Sequence, residues 1–137
     1  MRMMIVALLL LIGSGCARKV NVSGTVTRDG QALEWESENS ELMVTFAVAD
    51  SPHVADVYKA TAERSGNFSF SGIPTGTYLV AVRQNDPIPT GDLLNNSYDL
   101  SNSPLRAEVK EDGQSIAIEL PKELPSGNRP KRPEPVE

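Results

Sequence analysis

Residues 65–82 read SGNFSFSGIPTGTYLVAV. Phe68 and Phe70 flank Ser69, so an extended chain sends both rings to one face. Tyr78, Val80 and Val82 repeat the alternation after a break. The break, GIPTG at 72–76, holds the residue types that most strongly punctuate regular structure. Pro74 presets φ for a turn, and Gly76 can take the positive φ that a type II turn requires. Tyr78 is placed to bury its ring and send its hydroxyl to a nearby backbone group, as a tyrosine corner does. The period is two rather than 3.6, so the stretch predicts two strands joined by a tight turn.

The same period extends outward in both directions. Val20, Val22 and Val26 alternate with Asn21, Ser23, Thr25 and Thr27, then meet Asp29-Gly30, a strong hairpin dipeptide. Gln31 to Leu33 is the expected short return strand. LMVTFAVA at 42–49 is β-rich and nearly all apolar, as expected of a central strand covered on both faces. Val57 to Ala62 forms a further run. Leu105, Ala107 and Val109 alternate with Arg106, Glu108 and Lys110; after a turn at 111–114 come Ile116, Ile118 and Leu120. Ser23-Gly24, Ser65-Gly66 and Ser71-Gly72 read as turn and bulge residues. Seven to eight short strands without a helical stripe predict an all-β, antiparallel two-sheet sandwich over 20–120, with hairpin connections.

The flanks have other jobs. Arg2, the apolar run Ile5 to Ile12 and the small residues Gly13-Ser14-Gly15 form a secretory signal over 1–15. That run is far short of the roughly 20 residues a membrane span needs. The next residue, Cys16, is the only cysteine and has no disulfide partner within the chain. Its setting resembles the lipobox of bacterial lipoproteins, with Gly13 where that family usually has an apolar residue. The resemblance implies lipidation of Cys16, cleavage before it, and a short linker over 16–19 leading to the first strand. It implies a membrane partner through the lipid, and Ala17 in place of a retaining Asp implies the outer membrane. Pro121, Pro125, Pro130, Pro133 and Pro135 mark 121–137 as an extended, disordered tail. The net charge of −5 becomes −6 once Arg2 is removed, which argues against nucleic acid as a partner.

Gly66, Phe68, Phe70, Ile73, Pro74, Gly76, Tyr78, Val80 and Val82, with the opening VSGTV at 22–26 and DGQAL at 29–33, resemble the carboxypeptidase regulatory-like family. That family has a transthyretin-like or Ig-like seven-stranded sandwich. The resemblance implies the fold and little about activity, because the shared motifs are structural. Glu63-Arg64-Ser65-Gly66 departs from the family's usual Asp-x-x-Gly turn.

No set of residues makes a convincing catalytic centre. His53 is the only histidine, and one imidazole without a cysteine partner does not build a zinc site. A hydrolase would require His53 beside a hydroxyl and a carboxylate, and no serine lies in a nucleophile motif. Glu34, Glu36, Glu38 and Glu41 form an acidic stretch without calcium-loop spacing. No cofactor or metal is expected. Trp35 and Tyr98, with Tyr58, are the candidate surface aromatics, and exposed coplanar rings there would serve a carbohydrate-binding module. The irregular stretch 85–104 is long enough to expect a functional or mobile loop. The resulting expectation is a non-enzymatic, lipid-anchored binding or scaffold module of the cell envelope, with an envelope protein or polymer as partner. A carbohydrate-binding module is the alternative and a hydrolase a more distant one.

Overall fold

The computed structural model describes residues 17–35, 37–49, 57–85 and 91–122. These form seven strands: β1 (Lys19–Arg28), β2 (Glu41–Val48), β3 (Val57–Ala62), β4 (Asn67–Pro74), β5 (Gly76–Asn85), β6 (Arg106–Val109) and β7 (Gln114–Leu120). They divide into a three-stranded sheet, β4-β1-β7, and a four-stranded sheet, β3-β2-β5-β6. The domain is an all-β sandwich, and the alternation read from the sequence is its inside-outside pattern. Val20, Val22 and Val26 face Leu42, Val44 and Phe46 of β2 and Tyr78, Val80 and Val82 of β5 across a closed core. Burying each such side chain contributes about 1.5–3 kcal/mol.

Phe46 is the centre of that core. Its ring lies 4.7 Å from Phe70, 5.5 Å from Tyr78 and 6.1 Å from Phe68, in tilted or edge-on arrangements. Tyr78 donates its hydroxyl to the carbonyl of Pro74 at 2.5 Å. That bond staples β5 to the turn through which the chain leaves one sheet for the other. Phe68 and Phe70 alternate, yet the next buried residue is Ile73. The register explains this: Val22 pairs with Phe70 but Val20 pairs with Ile73, so β4 carries one extra residue. Gly72, at φ 67°, takes up the bulge, and its N–H donates to Asn21 Oδ1 at 3.0 Å.

Four sequence expectations need correction. The sheets are not wholly antiparallel, because β1 and β7 pair in parallel from Val22–Gln114 to Arg28–Leu120. The first and last strands share no short turn, so nothing local forces them antiparallel. Hairpins do not suffice either: consecutive strands pair only as β2–β3 and β5–β6, and the other connections cross between sheets. The Asp29-Gly30 turn forms, with both φ values positive (55° and 72°). Its return strand stops at one bridge, Arg28 to Gln31. Beyond it the edge of β1 is taken, since Val26 N–H donates to the carbonyl of Gly66 at 2.9 Å. Finally, Ser23-Gly24 lies inside β1 rather than in a turn or bulge.

β2 is central, as expected, but only one of its faces is fully covered: Leu42, Val44 and Phe46 are buried, while Met43 and Ala47 are half-buried.

The irregular stretch after β5 is packed where it is described. β6 covers only Gly76 to Leu79 of β5. Above that, residues 91–105 take over the exposed edge. Val82 N–H donates to the Tyr98 carbonyl at 2.9 Å, Leu93 N–H to Gln84 O at 2.7 Å, and Ser103 Oγ to Val80 O at 2.5 Å. Asp92 organises the turn by accepting from the N–H groups of Gln84, Leu94 and Asn96. Unpaired edge groups are thereby satisfied without a further strand.

Candidate functional site

The strand directions define two poles. One holds the start of β1, the β4–β5 turn at Pro74 and the turn before β7, where Gly113 N–H donates to Asn21 O at 2.8 Å. The other holds Arg28, Gln84 and Leu120 at the strand ends, and Leu33 plugged in from the loop after β1. A cavity of about 450 Å³ opens at this second pole, lined by Arg28, Gln31, Leu33, Glu34, Gln84, Leu94 and their neighbours.

Register explains why polar groups reach this cavity. The even-numbered positions of β1 face the core: Val20, Val22, Gly24 and Val26 are buried, and Arg28 continues the series. In β5 the series Tyr78, Val80, Val82 continues with Gln84, which is 4% exposed. Gln84 Nε2 donates to the Glu34 carbonyl at 2.7 Å, tying the loop across the end of the core. Arg28 is treated differently. Its Nε and Nη2 atoms are buried and have no hydrogen-bond partner among the described residues.

The acidic groups nearby are engaged elsewhere. Asp29 meets Lys122 at 3.9 Å, with both side chains largely exposed. Glu119 accepts from Thr27 Oγ1 and from the Gly30 N–H. These two bonds, the Thr27 hydroxyl first, hold its carboxyl below the usual carboxylate range.

The residues singled out from sequence scatter. Cys16 and His53 lie outside the described residues, as does Glu36. Among the described residues no three of His, Cys, Asp and Glu converge as a metal site would require. Gly66, Phe68, Phe70, Pro74, Gly76 and Tyr78 act in packing and turn-making. Gly66 is at φ 88°, and a Cβ there would strike the Val26 carbonyl oxygen; Gly76 is at φ 153°.

The surface-aromatic expectation is overturned at Tyr98, which is 0% exposed. The 91–105 segment folds back on β5 and carries the ring inward. Burial pushes its phenol above the usual value, opposed by the charge of Arg28, and its hydroxyl has no partner among the described residues. Tyr58 is half-buried with its ring edge-on to Tyr78 at 6.1 Å. Trp35 is half-buried against the core, and the Arg64 guanidinium lies over its ring, 5.4 Å from the centroid. Sequence reasoning missed Arg28 and Gln84. The available signal was parity: both continue a core-facing alternation past its last apolar member.

No protein-family model matches the chain, and no curated protein matches it. Similar solved structures include a DUF3823 family protein from Parabacteroides merdae, at 20% identity over 75% of this chain and 46% of that one, with a TM-score of 0.46. Another is BcpA, the major pilin subunit of Bacillus cereus, at 12% identity over 76% of this chain and 30% of that one, with a TM-score of 0.44. A third is the dioxygenase domain of a dioxygenase carbohydrate-binding fusion protein from Streptomyces, at 16% identity over 80% of this chain and 83% of that one, with a TM-score of 0.38. The chain spans less than half the length of the first two.

Proposed function

We propose that the chain is a lipid-anchored, non-enzymatic binding module of the bacterial cell envelope, built on a carboxypeptidase regulatory-like sandwich, and that it binds through the pole opposite its anchor. The observation that carries this reading is the docking of the N-terminal end. The Thr75 N–H donates to the Arg18 carbonyl at 2.9 Å, so the chain is fixed to the body of the sandwich from Arg18 onward. Cys16 precedes Arg18 by two residues, a reach of about 7 Å at most. A lipid on Cys16 therefore holds the Pro74 pole against the bilayer. β1 then runs for 10 residues away from it, roughly 33 Å, to Arg28 and the cavity. The 3 + 4 sheet division and the Tyr78–Pro74 bond support the family assignment.

The non-enzymatic reading is supported by the use to which the motif is put: its rings pack on one another and its glycines and proline shape turns. A carbohydrate-binding module is less well supported, because Arg64 occupies the ring face of Trp35 and Tyr98 is in the core. The test is fractionation of cells expressing the wild type and Cys16→Ala. The wild type is expected in the membrane fraction, and of the membranes the outer one. Cys16→Ala is expected as a soluble form or an uncleaved precursor. Membrane recovery of Cys16→Ala equal to the wild type would refute the anchor.

A further inference from the structure

We propose that the outer face of the four-stranded sheet binds an anionic sugar unit, with its acid group held between Lys59 and Arg83. The site lies in the half of the domain that the proposed function turns away from the membrane. It rests on its own geometry and not on the lipid.

Three observations carry it. The first is how the register gathers the groups. Lys59 of β3 pairs with Thr45 of β2, and Thr45 pairs with Ala81 of β5. One step along, Met43 pairs with Arg83. All five have the parity opposite to core-facing Val44, Phe46, Val80 and Val82, so they share the outer face. Adjacent strands lie about 4.8 Å apart and two residues rise about 6.8 Å, which puts the Lys59 and Arg83 Cα atoms roughly 12 Å apart on a diagonal. Two long cationic side chains at that separation can close on one anion from both sides. Both line a cavity of about 310 Å³, floored by Met43, Thr45 and Ala81 and walled by Asp99 to Ser101. The wall is pinned to β5, since Ser103 Oγ donates to Val80 O and Ser103 N–H donates to the Asp99 carbonyl at 2.9 Å.

The second observation is the charge. Both cations are exposed, so an occupant of the cavity can reach them. The ion pairs among the described residues are Lys110–Glu108 and Lys122–Asp29, and neither Lys59 nor Arg83 belongs to one. Acids on this face are engaged elsewhere. Glu41 accepts from the Thr61 hydroxyl at 3.3 Å, and Asp99 Oδ1 accepts from the N–H groups of Ser101 and Asn102 at 3.0 and 2.9 Å. In a chain of net charge −5, two unpaired cations over one cavity form a local field of the opposite sign.

The third is the surface between the cations. β2 turns Met43, Thr45 and Ala47 outward, where β1 turns Asn21, Ser23 and Thr25. Thr45 is 8% exposed, which sets a hydroxyl in the floor. Leu100 is the one large apolar side chain left exposed among the described residues, and it lines the wall. The cavity thus offers two cations, a hydroxyl, the second oxygen of Asp99 and apolar surface. A sugar acid uses all of these through its charge, its hydroxyls and its C–H face. A bare ion leaves the apolar surface unused, and a hydrocarbon leaves the cations unpaired. Ligand cavities begin at about 300 Å³, so there is room for one ring.

Amide NMR of the full chain in detergent at low salt tests this. Glucuronate and glucose phosphate present the acid as a carboxylate and as a phosphate. Glucose is their neutral twin, and acetate and inorganic phosphate are the acids without the ring. The expected result is saturable shifts of the Thr45, Lys59, Ala81 and Arg83 amides with at least one sugar acid, none with glucose, and weaker binding of the matching bare acid. Lys59→Gln and Arg83→Gln should each weaken binding about two- to fivefold. Arg106→Gln, on neighbouring β6 and outside the cavity, should leave it unchanged. No response to either sugar acid overturns the proposal, as does glucose or a bare acid binding as tightly as the sugar acid. So does undiminished binding by a folded protein carrying both Lys59→Gln and Arg83→Gln, or an equal loss in Arg106→Gln. The ligand comparison needs only the wild type, so it stands even if a variant does not fold. Failure of the Cys16→Ala fractionation would leave these titrations unchanged, so the two readings fail separately.

Discussion

Replacing Gly24 with alanine sets two physical effects of opposite sign against each other. Glycine in the middle of a strand is costly, and on conformational entropy alone Gly24→Ala would stabilise the domain by about 0.5–1 kcal/mol. The tertiary structure reverses this. Gly24 stands at a core-facing position of β1, and a Cβ there would lie 2.7 Å from Phe68 Cε1 and closer still to Phe68 Cζ. It would also lie 2.5 Å from the Ile116 carbonyl oxygen. Carbon atoms in good contact sit about 3.5–4.0 Å apart. Neither neighbour can retreat cheaply. The Phe68 ring is backed by Phe70 at 5.8 Å and Phe46 at 6.1 Å. The Ile116 oxygen belongs to the backbone of β7, which pairs with Gly24 itself. Overpacking of a core costs about 1–3 kcal/mol, and a clash with backbone belongs at the upper end, near 3 kcal/mol. Trp35, the only tryptophan, reports urea unfolding by fluorescence. With a slope of about 1–3 kcal/mol per molar urea, the midpoint should fall by roughly 1–3 M. Adding Phe68→Leu should recover part of the loss and not all of it, because the Ile116 oxygen stays in place. A Gly24→Ala protein as stable as the wild type, or more so, would refute this account of the β1–β4–β7 packing.

Other residues yield sharper tests of single interactions. Tyr78→Phe removes the hydroxyl that binds the Pro74 carbonyl and should cost about 1 kcal/mol in the same unfolding assay; no loss would mean that the staple contributes nothing. Tyr98→Phe deletes a buried hydroxyl with no partner among the described residues, so stability should hold or rise. The Tyr98 phenol is raised in the folded state by burial, so burying it neutral costs nothing extra below the usual tyrosine range, and stability is lost as pH climbs from that range through the raised folded value; thermal melts at alkaline pH should show that loss in the wild type and not in Tyr98→Phe. The Glu119 carboxyl is lowered in the folded state, so its contribution is present above the usual glutamate range and disappears as pH falls through the folded value. Melting temperatures on acidification should therefore converge for the wild type and Glu119→Gln, and parallel curves would exclude a role for the Thr27 and Gly30 bonds.

How far the fold was legible depended on the distance over which each feature is decided. The strand at Val57–Ala62, the Phe68/Phe70 face, the Tyr78 series and the Asp29-Gly30 turn follow from neighbours in sequence, because side-chain alternation and turn dihedrals are local properties. Tyr98 was misplaced because a lone tyrosine among Asn, Ser and Asp gives no periodic signal. The bonds of the Tyr98 carbonyl with Val82, of Leu93 with Gln84 and of Ser103 with Val80 are what lay its segment along β5. The candidate site was legible in principle but not picked out: Arg28 follows Val20, Val22 and Val26 in parity, and a charge at a core-facing position is a signal that alternation alone exposes.

The sequence by itself determined the seven runs that become β1 to β7 and the turns at Asp29-Gly30 and 111–114. It could not decide which edges meet. The parallel pairing of β1 with β7, the capture of the Val26 N–H by Gly66 and the end of the return strand at the single Arg28–Gln31 bridge are outcomes of competition for one strand's edges. Each competitor lies far along the chain, and its claim depends on where every other strand has already docked. The same competition leaves Arg28 at the mouth of the core with its fork unpaired. The candidate site is thus a consequence of tertiary pairing built on a local alternation.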